Sequence, residues 1–184
     1  MCIQLETSRL ILRQWQNADL EAFYQLNSNT EVMQHFPKVL NKTESDQLAY
    51  RIQSLIQQNG WGFWAVELKS TQEFMGFTGL HHQPTQFKFS PCTEIGWRLN
   101  SQYWGNGYAT EAALRCLEFA FNSLNLNEII AFTAKPNLKS QAVMKRIGMT
   151  YKFDFDHPEL DDQSPLQEHQ LFSIQKGSLS IFNF

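Results

Sequence analysis

The 184-residue sequence has few cysteines, little charge and no long apolar run, and each shortage excludes a class of protein. Cys2, Cys92 and Cys116 are an odd number without Cys-x-x-Cys spacing, which argues against a disulfide framework or a zinc site. The five histidines lack HxxxH and HExxH spacing, so no metal site is predicted. A formal net charge of −3 argues against general binding to nucleic acids or anionic membranes.

Membrane and targeting segments are also lacking. No run approaches the ~20 apolar residues of a membrane span, and the N-terminus has no apolar core of signal-peptide length. Large core side chains are plentiful, because 42% of the residues are hydrophobic and 15 are Phe. The sequence therefore predicts a soluble, cytoplasmic protein with a single domain over residues 1–184, as a monomer or homodimer.

Hydrophobic periodicity predicts an α/β (α+β) domain with a mixed, mostly antiparallel sheet and about four helices. Helices are expected after Trp15, from a capping box of Thr43 and Asp46, just after Gly107, and from about Leu138 to Gly148. Seven strands are expected: Arg9–Trp15, Trp61–Leu68, Phe74–Leu80, Thr93–Leu99, Glu128–Ala134, Met149–Phe155 and Glu168–Gln175. The helix after Gly107 forms a crossover between the fourth and fifth predicted strands.

Gly105 and Gly107 precede the best-defined helix, in the stretch QYWGNGYATEAALRCLEFAF. From Ala109 onwards the apolar residues follow one stripe of a 3.6-residue period. The first turn of a helix has free N–H groups and the positive end of the helix dipole, and glycines let the backbone approach an anion closely. A second Gly-x-Gly, in GWGFWAV, leads into a strand instead. The alternative is that both glycines only make a tight strand-to-helix turn.

The spacing Gln102-x-x-Gly105-x-Gly107 resembles the acyl-CoA-binding Q/R-x-x-G-x-G/A loop of the GNAT N-acetyltransferase superfamily. The longer string EIGWRLNSQYWGNGYATEA is similar to the branch that includes ribosomal-protein-alanine N-acetyltransferases. SRLILRQW, FMGFTGL and NLKSQAVMKRIGM extend the resemblance over nearly the whole chain. It implies a twisted sheet that is split between the fourth and fifth strands.

The resemblance implies acetyl-CoA as the co-substrate and assigns its contacts by position. The pantetheine arm would pair, like an added strand, with the backbone of the fourth predicted strand at Trp97, Arg98 and Leu99. Core packing is the alternative role for the Trp97 and Leu99 side chains. The loop that begins at Gln102 would hold the pyrophosphate through the N–H groups of Trp104, Gly105, Asn106, Gly107, Tyr108, Ala109 and Thr110.

The block PNLKSQAVMKRIGM resembles a second family motif. Asn137 matches an asparagine whose amide holds the pantetheine, and a helix N-cap is the alternative. Many relatives carry a tyrosine seven residues later as the acid that protonates the leaving thiolate, but Met144 has no proton to donate. A serine is the proposed donor in the ribosomal-protein branch, which assigns the general acid to Ser140.

Glu94, at the start of the fourth predicted strand, is the candidate general base, and an ordinary surface glutamate is the alternative. An N-terminal α-amino group titrates near 7.7–8.0 and a lysine at about 10.4, so an N-terminal acceptor needs only a modest base. The chain is therefore expected to acetylate a protein N-terminus. A small amine (polyamine, amino acid or antibiotic) as acceptor and a non-catalytic acyl-CoA-binding domain remain alternatives.

Two further features bear on the acceptor. His35, in VMQHFP, either lines the acceptor pocket or lies in a surface loop. Segment 154–168 contains six acidic residues and no Lys or Arg. The negative electrostatic potential of this segment either attracts a cationic acceptor, or the segment is only a solvated acidic loop that keeps the protein soluble.

Overall fold

Eight β-strands and four α-helices alternate through residues 3–181, the part of the chain that the computed structural model describes. The strands are β1 (Leu5–Glu6), β2 (Leu10–Arg13), β3 (Phe63–Leu68), β4 (Glu73–Gln83), β5 (Cys92–Leu99), β6 (Glu128–Ala134), β7 (Thr150–Asp156) and β8 (Glu168–Gln175). The helices are α1 (Asp19–Ser28), α2 (Lys42–Asn59), α3 (Tyr108–Asn122) and α4 (Leu138–Arg146). Short 3₁₀ helices cover Ser101–Tyr103 and Lys176–Ile181. Cys2 lies outside the described residues, and Cys92 and Cys116 are free thiols.

The strands form one sheet in the order β1-β2-β3-β4-β5-β6-β8-β7. Every neighbouring pair is antiparallel except β5 and β6, which are parallel and joined by the α3 crossover. This confirms the predicted mixed, mostly antiparallel sheet, with eight strands where the sequence indicated seven. The extra strand, β1, has only two residues, too few for a periodicity to be visible.

The sheet is split between β5 and β6, the fourth and fifth of the strands predicted from sequence. Within the described ladder, only Glu94 and Ile130 pair across this boundary. Because the two strands are parallel and meet at one point, their carboxyl ends diverge. The edge of β5 beyond Glu94 therefore has backbone groups that no strand covers, at the end from which the chain runs to α3.

Local signals placed all four helices correctly and misplaced one cap. The α2 N-cap is Asn41, whose side chain accepts from the Glu44 N–H at 3.0 Å while the Glu44 carboxylate accepts from the Asn41 N–H at 2.9 Å. The predicted box of Thr43 with Asp46 is therefore wrong. The observed box of Asn41 and Glu44 has the same three-residue spacing but begins two residues earlier. Asp46 instead forms an ion pair with Lys42 at 2.8 Å.

The two faces of the sheet have different coverings. On β5, Ile95 and Leu99 point to the core face that α3 covers, and both are buried. Side chains of successive strand residues alternate between faces, so Glu94 and Arg98 lie on the opposite face. Arg98 there contacts Asn27 at the end of α1. The face of the sheet under α1 and the segment after it therefore carries the ionisable residues of β5.

Candidate active site

The loop from β5 to α3 presents free backbone N–H groups. Gly105 and Gly107 both have φ +79°, a left-handed conformation that glycine adopts without strain. Gly107 is the α3 N-cap and provides no side chain to cap the first turn. In the described hydrogen bonds, the N–H groups of residues 105–110 have no acceptor, whereas the Trp104 N–H is already bonded to the Ser101 carbonyl at 3.1 Å. The loop therefore offers six neighbouring donors, and Trp104 is not one of them.

Arg9, which the sequence analysis did not select, fixes this loop from the other end of the chain. Its Nη1 donates to the Asn106 carbonyl at 3.1 Å and its Nε to the Glu111 carboxylate at 2.6 Å. Its guanidinium also stacks 4.4 Å from the centre of the Tyr108 ring. Glu111 in turn accepts hydrogen bonds from the Thr7 and Ser8 hydroxyls. Arg9 therefore holds the loop, and its charge is paired with that of Glu111.

Substitution of Gly107 tests whether the loop binds the pyrophosphate of acetyl-CoA. A Cβ at Gly107 would meet only Arg9 Nη2, at 3.7 Å, so the effect of a side chain is through the backbone dihedral and not through a clash. We expect Gly107→Val to move the loop and raise the acetyl-CoA Kd at least tenfold, about 1.4 kcal/mol, in a calorimetric titration.

Gly177→Val is the matched control, because Gly177 is exposed, has nothing within 4 Å of its Cβ position and lacks a positive φ. It should leave the acetyl-CoA Kd unchanged. An unchanged Kd for a folded Gly107→Val protein would rule out the pyrophosphate role of the loop.

The three predicted pantetheine contacts on β5 lie along the split. Leu99 is buried and Trp97 packs partly buried against the same core, so both side chains have the packing role that was the alternative. Their backbone pairs with β4 on one edge only. The Leu99 carbonyl accepts from the Trp104 indole at 2.8 Å. Core packing of the side chains and an open backbone edge therefore coexist.

Glu94 is half-buried at the point where β5 and β6 meet. Burial raises the pKa of its carboxyl to about 7, and a hydrogen bond from Gln83 Nε2 at 3.2 Å opposes that shift. A carboxyl group in this state exchanges its proton near neutral pH, as a general base must. It is not the exposed surface glutamate that was the alternative.

The N-terminus of α4 brings a second set of polar groups to the loop. Asn137 is the N-cap: its Oδ1 accepts from the Ser140 N–H at 3.2 Å and its Nδ2 donates to Thr133 Oγ1 at 3.0 Å. The Ser140 hydroxyl is half-buried and has no partner among the described residues, so its proton is available. Lys139 lies 4.1 Å above the Trp104 ring. The Lys139 side chain therefore links the start of α4 to the loop, while the Asn137 amide is already engaged in capping.

The segment after α1 forms a wall on the same face as Glu94. His35 is half-buried, its Nδ1 is buried without a hydrogen-bond partner, and burial and the charge of Lys139 lower its pKa. The neighbouring Phe36 ring lies 3.9 Å from the Arg98 guanidinium, and burial lowers the pKa of Arg98 to about 10. His35 is thus half-buried, and its lowered pKa keeps the imidazole neutral at pH 7.

The acidic segment 154–168 is partly neutralised. Lys135 forms ion pairs with Asp154 at 3.0 Å and with Glu168 at 2.8 Å. Glu159 accepts from Gln86 at 3.0 Å. Asp161 and Asp162 accept only hydrogen bonds from residues of their own loop. The attraction of a cationic acceptor stays a prediction, and it rests on fewer free charges than the sequence suggested.

Residues 3–181 also lack two features that would change the chemistry of the site or its surroundings. No group of three or more His, Cys, Asp or Glu in this part of the chain is placed to hold a metal ion. None of its helices is both long and apolar enough to cross a membrane.

The fold and the glycine loop define an acyl-CoA-dependent acetyltransferase, and comparison with known proteins agrees. The model of the acetyltransferase (GNAT) domain family matches residues 9–150, and the chain therefore belongs to the GNAT family of N-acetyltransferases. Over 147 residues it is 33% identical to the uncharacterised N-acetyltransferase YnaD of Bacillus subtilis (strain 168), covering 80% of this chain and 82% of YnaD. It is also 30% identical over 193 residues to an FsC-acetyl coenzyme A-N(2)-transacetylase of Aspergillus fumigatus, covering 96% of this chain and 81% of that protein.

Solved structures of the family share the fold at lower identity. A GNAT acetyltransferase from Bacillus anthracis has a TM-score of 0.81 at 24% identity and covers 95% of this chain and 99% of its own. A spermidine N-acetyltransferase from Vibrio cholerae, solved with CoA and spermine, has a TM-score of 0.74 at 21% identity, with 95% and 99% coverage. A ribosomal-protein-S5-alanine acetyltransferase from Vibrio fischeri has a TM-score of 0.74 at 20% identity, with 95% and 97% coverage. At these identities the likeness shows the fold alone.

Proposed function

We propose that this acetyltransferase transfers the acetyl group of acetyl-CoA to the α-amino group of a protein N-terminus, as a single domain over residues 1–184. The observation that carries the proposal is the Glu94 carboxyl, whose pKa burial raises to about 7 at the mouth of the split. An N-terminal amine titrates near 7.7–8.0, so a base of this strength suffices to remove its proton, whereas a lysine at about 10.4 would need a stronger one.

The residues around the split fit acetyl-CoA. The free N–H groups of residues 105–110 lie at the positive end of α3 and suit the pyrophosphate, with Gln102 at the start of the same loop. Lys139, over the Trp104 ring, adds positive charge beside them. The open backbone edge of Trp97, Arg98 and Leu99 suits the amide groups of the pantetheine arm. Asn137 contributes through the fixed start of α4.

When bound, acetyl-CoA supplies the activated thioester carbonyl, and the protein supplies proton transfers. Glu94 accepts the proton that the acceptor amine loses as its nitrogen bonds to the carbonyl carbon. A backbone N–H group on the β5 edge holds the developing oxyanion. As the carbon–sulfur bond breaks, Ser140 donates its hydroxyl proton to the sulfur, which leaves as a free thiol. Ser140 then takes a proton back from water and Glu94 releases its proton to water, so both groups return to their starting states. The Ser140 hydroxyl has no other described partner to compete for that proton.

A polyamine is the second candidate acceptor. Asp156, Asp161 and Asp162 have no ion-pair partner among the described residues, and unpaired carboxylates favour a polycation. The structural relatives include both a spermidine and a ribosomal-protein acetyltransferase, so the fold accommodates either kind of acceptor.

An acceptor panel separates these functions by measuring free-thiol release from acetyl-CoA. We expect peptides with a free N-terminus to react with a kcat/KM at least tenfold above that of the same peptides with a blocked N-terminus and a free lysine, because the lysine is almost wholly protonated at neutral pH. Spermidine turnover above that of every peptide would replace the proposal by the polyamine function. A rise in melting temperature with CoA but no turnover would indicate a non-catalytic binding domain.

A further inference from the structure

Arg98 is a largely enclosed cation that has no acidic partner. Its Nη1 donates to Asn27 Oδ1 at 2.6 Å, and Asn27 is fully buried. Its Nε is buried without any hydrogen-bond partner, and no described carboxylate lies within 4.0 Å of the guanidinium. A charge held away from water without a counter-charge is unfavourable by several kcal/mol in general.

Arg13 shows how the same fold treats an arginine with a structural role. It is also partly enclosed, but it pairs with Asp19 at 2.8 Å and with Glu67 at 2.6 Å. These carboxylates raise the pKa of Arg13, whereas burial alone lowers that of Arg98 to about 10. Of these two arginines, only Arg98 has no anionic partner among the described residues.

Arg98 leaves one edge of its guanidinium without a hydrogen-bond partner. The guanidinium plane stacks on Phe36 at 3.9 Å and lies 5.4 Å from the Phe77 ring. Asn27 takes one Nη1 donor, so the edge formed by Nε and Nη2 has no partner among the described residues. Two parallel N–H groups on one edge of a guanidinium match the two oxygens of a carboxylate.

Arg98 and Glu94 are placed to act on one acceptor. They point to the same face of β5 four residues apart, about 13 Å between Cα atoms at the usual strand rise. Gly96 stands between them, and the Phe63 ring covers it, with Cε1 3.1 Å from the Cβ position. A chain of two or three extended residues spans such a distance, since each adds about 3.3–3.6 Å.

We propose that Arg98 binds a carboxylate of the acceptor, so that the enzyme prefers N-termini with Asp or Glu as the second or third residue. This inference rests on the proposed function, with Glu94 at the amine and Arg98 at the anionic side chain. Phe36 and Asn27 hold the guanidinium in place, and no described carboxylate lies within 4.0 Å of it to repel the negative charge of the acceptor.

The test compares tripeptide amides that differ in one charge, Ala-Glu-Gly with Ala-Gln-Gly and Ala-Gly-Glu with Ala-Gly-Gln. Their C-terminal amides leave the glutamate side chain as the only carboxylate. For the wild type we expect kcat/KM at least tenfold higher for the glutamate member of one pair, about 1.4 kcal/mol. In Arg98→Gln the ratio should fall to about one. In Arg98→Lys a smaller preference should remain, because lysine keeps the charge but lacks the two parallel N–H donors of the guanidinium.

Arg146→Gln, an exposed arginine on α4, is the matched control and should keep the wild-type ratio. A wild-type ratio near one for both pairs, or a ratio that survives in Arg98→Gln, overturns the proposal. If the wild type acetylates spermidine but no peptide, the proposed N-terminal function is wrong, and the role of Arg98 needs a separate test. The kcat/KM values for 4-aminobutanoate and its amide are then compared, and equal values overturn the role of Arg98 itself.

A binding measurement tests the contact without turnover. The Nε–H signal of Arg98 in protein labelled with ¹⁵N-arginine is assigned by its loss in Arg98→Lys. Titration with the preferred glutamate peptide should shift this signal, whereas the glutamine peptide should not. A signal that ignores both peptides, or responds equally to both, contradicts the inference whatever the activity of the enzyme.

Discussion

Replacing Glu94 by glutamine should lower kcat about 10²- to 10³-fold, the range expected when a general base is removed. The amide keeps the size of the side chain and its contact with Gln83, but it cannot take a proton from the acceptor. Because burial raises the pKa of Glu94 to about 7, wild-type kcat/KM should rise with pH through an inflection near 7. The variant should lose that inflection and keep only the one of the acceptor amine near 7.7–8.0, as measured by thiol release across pH 5.5–9.

The same variant has a stability signature that a structural role would not produce. Between pH 4.5 and about 7 the folded state keeps the Glu94 proton and the unfolded chain has lost it, so wild-type stability falls as pH rises through this window. Full ionisation of the buried carboxyl costs on the order of 3 kcal/mol. Glutamine removes this cost. As pH rises from 4.5 to 8, the free energy of unfolding of Glu94→Gln, measured with urea, should therefore increase relative to that of the wild type.

Two outcomes would contradict the role of Glu94. A variant with unchanged kcat and an unchanged inflection would assign the base to another group. A variant that loses activity together with stability at pH 8 would indicate that the carboxylate is structural, because the proposal requires glutamine to be the better tolerated side chain at that pH.

Ser140→Ala should lower kcat about 10²-fold and leave the acetyl-CoA Kd nearly unchanged. The reason is that the hydroxyl proton is the one given to the leaving thiolate, and Met144, buried in the core, cannot replace it. The helix start should survive, because Asn137 caps α4 through the backbone N–H of Ser140 and not through its hydroxyl. Stopped-flow thiol release and calorimetry measure the two quantities separately.

Two variants serve as controls for Ser140→Ala. Ser54→Ala removes an exposed hydroxyl on α2 that only bonds the Tyr50 carbonyl, and it should change neither kcat nor Kd. Asn137→Ala removes the cap itself and should lower the free energy of unfolding by about 1 kcal/mol. If Ser140→Ala weakens acetyl-CoA binding but keeps kcat, the serine is a binding residue and the acid lies elsewhere.

Local chemistry made much of the fold predictable from sequence. The stripe of α3 and the glycine before it are neighbours along the chain, so periodicity and backbone preference place that helix and its N-terminus without reference to other elements. Gly148, with φ +84°, follows α4 for the same reason. Strand ends were less accurate. The predicted Arg9–Trp15 is paired only over Leu10–Arg13, because its ends depend on partner strands.

At the candidate site too, some features were predictable from sequence and others depended on tertiary structure. The sequence by itself determined the glycine loop, the helix behind it and the positions of Glu94 and Ser140, since motifs of a few residues carry that information. Tertiary structure alone decided what those groups can do. Burial under distant elements raises the pKa of Glu94, Thr133 and Ser140 occupy the Asn137 amide, and Arg9 fixes a loop about a hundred residues away. Desolvation and hydrogen bonding depend on which atoms meet in space, and segments far apart in the chain supply most of those atoms.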